Sequence, residues 1–167
     1  MKWVVVSDNH GLEQILTDIK SIHDDADLLI HLGDSEFNYH HHHELKGYIK
    51  VAGNCDYGVE FKDDAVISAN GLNAYITHGH LHRVNRGLEA LAAAARDEQC
   101  KLAFYGHTHI RQVDYVDGVV CINPGSIAQS RNQEPESYAV ITIDDTEQRI
   151  TFFNQQHEMM AEEVVAL

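Results

Sequence analysis

Residues 1–34 read MKWVVVSDNHGLEQILTDIKSIHDDADLLIHLGD, and the changes of pattern within them decide the fold class. Lys2 to Ser7 is a short β-branched run, the pattern of a buried strand. After Gly11, Leu12, Ile15, Leu16, Ile19 and Ile22 recur at helical spacing and predict an amphipathic helix ending near Ile22. Ala26 to His31 is a second apolar run, closed by Gly33-Asp34. Strand, helix and strand within so short a span predict a right-handed βαβ unit, and hence a parallel sheet.

The same alternation continues outward. Tyr48–Ala52 reads as a third strand, followed by the polar turn Gly53-Asn54-Cys55-Asp56. Glu60–Ala69 and Leu72–Thr77 flank Asn70-Gly71, a strong hairpin signal. Gly87–Gln99 is an Ala-rich helical stretch, and Lys101–Tyr105 a strand that ends at Gly106-His107. Further strands are expected at Arg111–Tyr115, Val119–Ile122, Ser137–Ile143 and Arg149–Phe153, with a short helical end from His157. No internal repeat or Pro-rich linker divides the 167 residues, so one α/β domain over 1–167 is expected.

Composition narrows the function classes. Twenty-six acidic residues against 12 Lys and Arg give a net charge of −14, and each half of the chain carries the same excess. There is no basic stripe, so stable nucleic-acid binding is not expected. An anionic substrate would have to be attracted by something other than Lys and Arg, and a bound metal can do so. The three cysteines, Cys55, Cys100 and Cys121, do not make a disulfide framework, and Cys100 and Cys121 read as small hydrophobes. No apolar run approaches a signal core or a membrane span, so a cytoplasmic protein without membrane attachment is expected.

Five strands end in residues that bind metals or hydrogen-bond. The turns are Asp8-Asn9-His10, Gly33-Asp34, Gly53-Asn54-Cys55-Asp56, Thr77-His78-Gly79-His80 and Gly106-His107-Thr108-His109. Each alone is also an ordinary capped turn. Their recurrence at one place in the strand–turn pattern carries the argument, because open α/β sheets build sites beyond the carboxyl ends of their strands. Two carboxylates, one amide oxygen and four imidazoles suit two divalent ions of the Mn, Fe or Zn type. Such a pair can clamp the oxygens of a displacement at phosphorus.

The ordered series Asp8-x-His10, Gly33-Asp34, Gly53-Asn54, His78 and Gly106-His107-x-His109 resembles the calcineurin-like metallophosphoesterase superfamily. The short length, the Asn54-Cys55-Asp56 turn and Asn123-Pro124-Gly125-Ser126 are similar to its small bacterial and archaeal phosphodiesterase branch. The resemblance implies a four-layer α/β sandwich, two mixed β-sheets flanked by helices. It also implies that Asp8, His10 and His109 hold one metal, that Asn54, His78 and His107 hold the other, and that Asp34 bridges them. Manganese is the first expectation for both ions, with iron, zinc or nickel as alternatives. The implied activity is hydrolysis of small phosphodiesters by a hydroxide shared between the metals; the catalytic set expected here is Asp34 and Asn54 from the resemblance, with Cys55 and His80 added from this sequence's own pattern.

One departure is informative. Many phosphomonoesterases of the superfamily carry a His after the Asn, and here that position is Cys55. A neutral thiol is a poorer acid for an alkoxide near pH 7 than an imidazole, so diesters with good leaving groups are expected to be preferred over alkyl monoesters. Asp56 is expected to orient Cys55 or a water. His80 is expected beside the phosphate, His31 as a satisfied core histidine, and His23 and His157 at the surface. The run His40–His43 is read as an exposed segment that binds metal adventitiously. A homo-oligomer is compatible with the sequence. The rival reading is a non-catalytic scaffold of the same fold, as in a retromer subunit that resembles this branch. A nuclease is a third reading, which the acidic surface disfavours.

Overall fold

The computed structural model describes residues 1–37, 43–58 and 60–166. His40–His42, the greater part of the histidine run, lie outside them, whereas His43 is described and exposed. Strand β1 (Lys2–Val6), helix α1 (Gln14–Ile22) and strand β2 (Leu28–His31) form the expected βαβ unit, with β1 and β2 parallel. Strand β3 (Tyr48–Lys50) extends the sheet in parallel beside β2.

After β4 (Asp64–Ala69) and β5 (Leu72–Thr77) come helix α2 (Glu89–Asp97), β6 (Leu102–Phe104), β7 (Arg111–Val116) and β8 (Val119–Pro124). The chain ends with β9 (Tyr138–Ile143), β10 (Glu147–Phe153) and β11 (Met159–Ala166). Two mixed sheets result, in the orders β11-β10-β9-β1-β2-β3 and β4-β5-β6-β8-β7. Asn70-Gly71 makes the β4–β5 turn with φ of 49° and 82°, the positive pair that a tight hairpin needs.

Strand β1 shows why there are four layers. Trp3 and Val5 point between the sheets, where they meet Ile30, Ile76, Phe104, Ile122 and Ile141. Val4 and Val6 point the opposite way and pack on Leu16 and Ile19 of α1. A stretch buried on both faces must be apolar at every position, as Trp3, Val4, Val5 and Val6 are. On the far side of the second sheet, Leu91, Ala92 and Ala95 of α2 cover Tyr75, Ala103, Val119 and Cys121. The order is therefore helix, sheet, sheet, helix.

Two expectations are corrected. The tail from His157 is not helical: β11 pairs antiparallel with β10 along most of its length, in a register running from Glu147↔Ala166 to Phe153↔Met159. Its conformation is set by that partner and not by local periodicity. His23 is not a surface residue, because its ring is buried against Tyr138 and hydrogen-bonded to the Tyr138 hydroxyl (2.9 Å). The same hydroxyl meets His157 Nδ1 at 3.1 Å, which leaves His157 half-buried.

His31, in contrast, is the satisfied core histidine that its apolar setting suggests. Its Nδ1 accepts the Gly33 N–H (3.1 Å), so Nε2 carries the proton and donates to Asn9 Oδ1 (2.8 Å). Burial pushes its pKa down to about 4, against the opposing pull of Asp56, Asp8 and Asp34. The unfolded chain therefore binds this proton first as pH falls, and stability is lost from about pH 6.5 downward. The loss should approach about 3 kcal/mol by pH 4. Thermal unfolding from pH 7 to 4.5 should show a fall in Tm that is blunted in His31→Gln; equal slopes would exclude His31 as the source.

Candidate metal centre

All five polar turns lie at the carboxyl ends of parallel strands, after β1, β2, β3, β5 and β6. The turns are tied to one another through the backbone. Asp8 N–H donates to the Gly33 carbonyl (3.0 Å), His10 N–H to the Asp34 carbonyl (3.1 Å) and Gly106 N–H to the His78 carbonyl (3.0 Å). The turn after β8 joins them: Ser126 Oγ donates to the Asp8 carbonyl (2.8 Å), and Asn123 Nδ2 to the Gly106 carbonyl (3.0 Å). A Cβ at Gly53 would fall on Asp34 Oδ1, so the β3 turn needs glycine to approach the β2 turn.

The strain in this region is concentrated on the side chains of interest. Asp8, His10, Asp34, His107 and His109 all have positive φ, between 42° and 70°. Non-glycine residues rarely adopt this region, and such strain clusters where side chains must be aimed.

Each carboxylate has one oxygen held and one aimed inward. Ser7 Oγ (2.5 Å) and the His107 N–H (3.2 Å) donate to Asp8 Oδ2. Among the described residues Asp8 Oδ1 is buried and accepts no hydrogen bond, yet His109 Nε2 lies 3.2 Å away and His10 and His78 Nε2 each 3.8 Å. Likewise the Cys55 N–H donates to Asp34 Oδ1 (2.8 Å), while Asp34 Oδ2 faces His78 Nε2 at 3.3 Å. Asn54 Oδ1 lies 3.1 Å from the same nitrogen.

The imidazoles are oriented in the same way. His78 Nδ1 donates to the Leu32 carbonyl and His109 Nδ1 to the Gln129 carbonyl, both at 2.7 Å. A carbonyl only accepts, so these nitrogens carry the protons, and in the neutral ring each Nε2 presents a lone pair inward. His10 Nε2 lies 3.1 Å from His109 Nε2. The donors form two overlapping groups that a metal ion could occupy, Asp8-His10-His109 and Asp8-Asp34-His78. An orphaned carboxylate oxygen beside imidazole nitrogens is the environment a divalent cation satisfies, so Asp8, His10, Asp34, His78 and His109 fit a divalent metal ion.

Electrostatics agree with this arrangement. Burial works against the charge on Asp34 and Asp8, but hydrogen bonds and neighbouring imidazoles outweigh it and hold both carboxyls below the ordinary range. His78 is raised, since Asp34 and Asp8 overcome its burial. His107 and His80 are lowered by burial and by the charge of His78.

The remaining residues of the expected site are also brought here. The His107 ring is 5.2 Å from that of His78, and the His80 ring 5.4 Å from it. Asn54 is exposed at the mouth. His82 is turned away onto Tyr75 by the short helical turn His80–His82 (ring centroids 5.7 Å). Cys55 is half-buried, and its thiol is pushed up to about 12 by burial and by the Asp34 and Glu36 carboxylates.

The expected role of Asp56 is corrected. Its Oδ2 accepts the N–H groups of Asp34 and Gly53 (both 2.8 Å), and its Oδ1 accepts Ser35 N–H, Ser35 Oγ and Glu36 N–H (2.9–3.0 Å). Five donors occupy it, so it builds the loop that carries Asp34 and does not orient Cys55. Ser7, Glu36 and the Leu32 and Gln129 carbonyls are site groups that sequence reasoning missed. Ser7 and Glu36 had only their nearness to Asp8 and Asp34 as a signal, and a backbone carbonyl has none.

Comparison with known proteins places this geometry. A family model described as the calcineurin-like phosphoesterase superfamily domain matches residues 1–146. A Bacillus subtilis (strain 168) protein named as a probable metallophosphoesterase, YsnB, is 36% identical over 156 residues, covering 93% of this chain and 92% of that one. The solved structure of a Streptococcus pneumoniae TIGR4 protein, described as a predicted phosphoesterase, superposes with a TM-score of 0.93 at 27% identity, covering 99% and 97% of the two chains. Entamoeba histolytica Vps29, solved in complex with zinc, shares the fold at a TM-score of 0.75 and 22% identity, covering 99% of each chain. No helix of the described residues is long and apolar enough to cross a membrane. With the matched model reaching through all five turns, the chain belongs to the calcineurin-like phosphoesterase superfamily.

Proposed function

We propose that residues 1–167 form one dinuclear, metal-dependent phosphodiesterase domain acting on small phosphodiesters, with Mn²⁺ as the first candidate ion. The observation that carries this reading is the buried Asp8 Oδ1, which accepts no hydrogen bond among the described residues and is faced by three imidazole Nε2 atoms. Bound divalent ions would supply an acidified water as nucleophile and neutralise charge on the phosphoryl oxygens. Asp8, His10 and His109 are assigned to one ion, Asn54, His78 and His107 to the other, and Asp34 to both.

The protein's own contribution is to hold these donors before substrate arrives. Leu32 and Gln129 fix the His78 and His109 tautomers, and Ser7 and the Cys55 N–H each tether one carboxylate oxygen. Little reorganisation is then needed when charge develops at phosphorus. His80 lies beside His78 and His107 and is assigned to the phosphoryl oxygens.

Cys55 follows Asn54 at the mouth, where a histidine would be placed to protonate a leaving alkoxide. With a thiol there, an aryl phosphodiester should be hydrolysed faster than the matching phosphomonoester. Chelator-stripped protein with Mn²⁺ restored tests this directly. Cys55→His should raise turnover of an alkyl phosphomonoester by about a hundredfold, the low end of a general acid's contribution. A wild-type preference for the monoester would refute the role given to Cys55. Absence of hydrolysis with Mn²⁺, Zn²⁺ and Fe²⁺ would put the scaffold reading ahead.

A further inference from the structure

Three inward-facing imidazoles, His78, His109 and His10, share one arrangement, and His10 differs in a single respect. The outer nitrogens of His78 and His109 donate to backbone carbonyls. The outer nitrogen of His10, Nδ1, faces a side chain: Glu36 Oε1, 3.3 Å away. Glu36 is two residues beyond Asp34, has a positive φ of 54°, and its N–H is held by Asp56. That strained, tethered backbone presents the carboxylate to His10 while leaving it 43% exposed.

We propose that Glu36 is the positioning residue for His10, accepting its Nδ1 proton so that Nε2 presents a lone pair beside Asp8 Oδ1. The inference rests on the metal-centre reading and adds a residue that the superfamily motif does not contain. A carboxylate partner fixes the ring and makes the opposite nitrogen a stronger donor than a carbonyl partner does.

The donor atoms of His10, Glu36 and Cys55 all lie within 4.8 Å of one another, which by distance alone also describes a third metal position. His10 argues against that use. With Nε2 committed to the Asp8 group, Nδ1 could bind a second ion only as imidazolate, whereas donation to Glu36 needs only the neutral ring. The cluster is thus a support for the centre, and Glu36 also faces the Cys55 thiol at its rim.

The test is metal binding itself. Apo wild-type protein, Glu36→Ala, Glu36→Gln and Asp34→Asn are titrated with Mn²⁺ by calorimetry and by the loss of the free-ion electron paramagnetic resonance signal. Glu36→Ala should weaken one of two Mn²⁺ equivalents by about 10- to 100-fold and leave the other unchanged. Glu36→Gln, whose amide oxygen still accepts, should recover most of that loss. Hydrolysis by Glu36→Ala should fall at limiting Mn²⁺ and return at saturating Mn²⁺. The side chain is partly exposed, so the apo Tm of Glu36→Ala should match wild type, and a lowered apo Tm with both equivalents intact would make Glu36 merely structural. Wild-type affinity for both equivalents in Glu36→Ala, with binding lost in Asp34→Asn, would overturn the proposal and leave the metal centre standing. A wild-type protein that binds no Mn²⁺ would overturn both.

Discussion

Asp34→Asn is expected to lower metal-dependent phosphoester hydrolysis by about a thousandfold, the upper end of what one preorganised electrostatic group contributes. Asp34 Oδ1 is held by the Cys55 N–H, and Oδ2 faces His78 Nε2 and is the oxygen free to bind. Asparagine cannot do both jobs as a carboxylate does. Turning its oxygen toward the Cys55 N–H leaves an NH₂ pointing at the metal position. Turning the oxygen inward sets two donors against each other at Cys55. Either orientation also removes the negative charge that would help hold two cations together. The substitution keeps shape and volume, so the folded state should persist. Circular dichroism and Tm of the apo proteins should agree within a few degrees while turnover with restored Mn²⁺ collapses. Turnover within tenfold of wild type would mean that Asp34 is not shared by both ions, and the dinuclear assignment would fail.

How much of this was legible beforehand follows from the kinds of group involved. The β1 run was legible because both faces of the strand are buried, so Trp3, Val4, Val5 and Val6 must all be apolar. The candidate ligands were legible because Asp, Asn and His at five strand ends are chemically distinctive and have no packing reason to recur there. What supports them was not. The Leu32 and Gln129 carbonyls orient two histidines, and any residue at either position supplies a carbonyl. Glu36 reads as one more surface acid in a chain with 26 acidic residues. His23 stands before Asp24-Asp25 and looks solvated; Tyr138, distant in sequence, buries it. Strand β11 carries Glu162-Glu163 and no clean alternation. Its extended form follows from pairing with β10, where Arg149 meets Glu162 at 2.6 Å. Local pattern thus predicts where strands end and what chemistry gathers there. Contacts far apart in sequence decide which side chains become supports.

Asp56 is where that distinction has its largest energetic consequence. Asp56→Ala should destabilise the fold by about 3–5 kcal/mol and lower Tm by roughly 10 °C. The carboxylate gathers four backbone N–H groups, from Asp34, Ser35, Glu36 and Gly53, together with the Ser35 hydroxyl. Asp34 and Ser35 are almost fully buried, so their amides have no easy route to water once the acceptor is gone. Hydrogen bonds to a charged acceptor are each worth more than neutral ones, although five sharing one acceptor do not add. The loss should also reach the metal centre, because Asp34 and Glu36 have positive φ and the Asp56 carboxylate anchors that strained backbone. Asp56→Asn, with one acceptor oxygen left, should fall between wild type and alanine in both Tm and Mn²⁺ affinity. A variant that keeps wild-type stability but loses metal would instead give Asp56 a direct part in binding. A variant that loses stability and metal together in the order Asp, Asn, Ala would establish it as the brace on which the β2 and β3 turns, and with them Asp34 and Asn54, are set at one point.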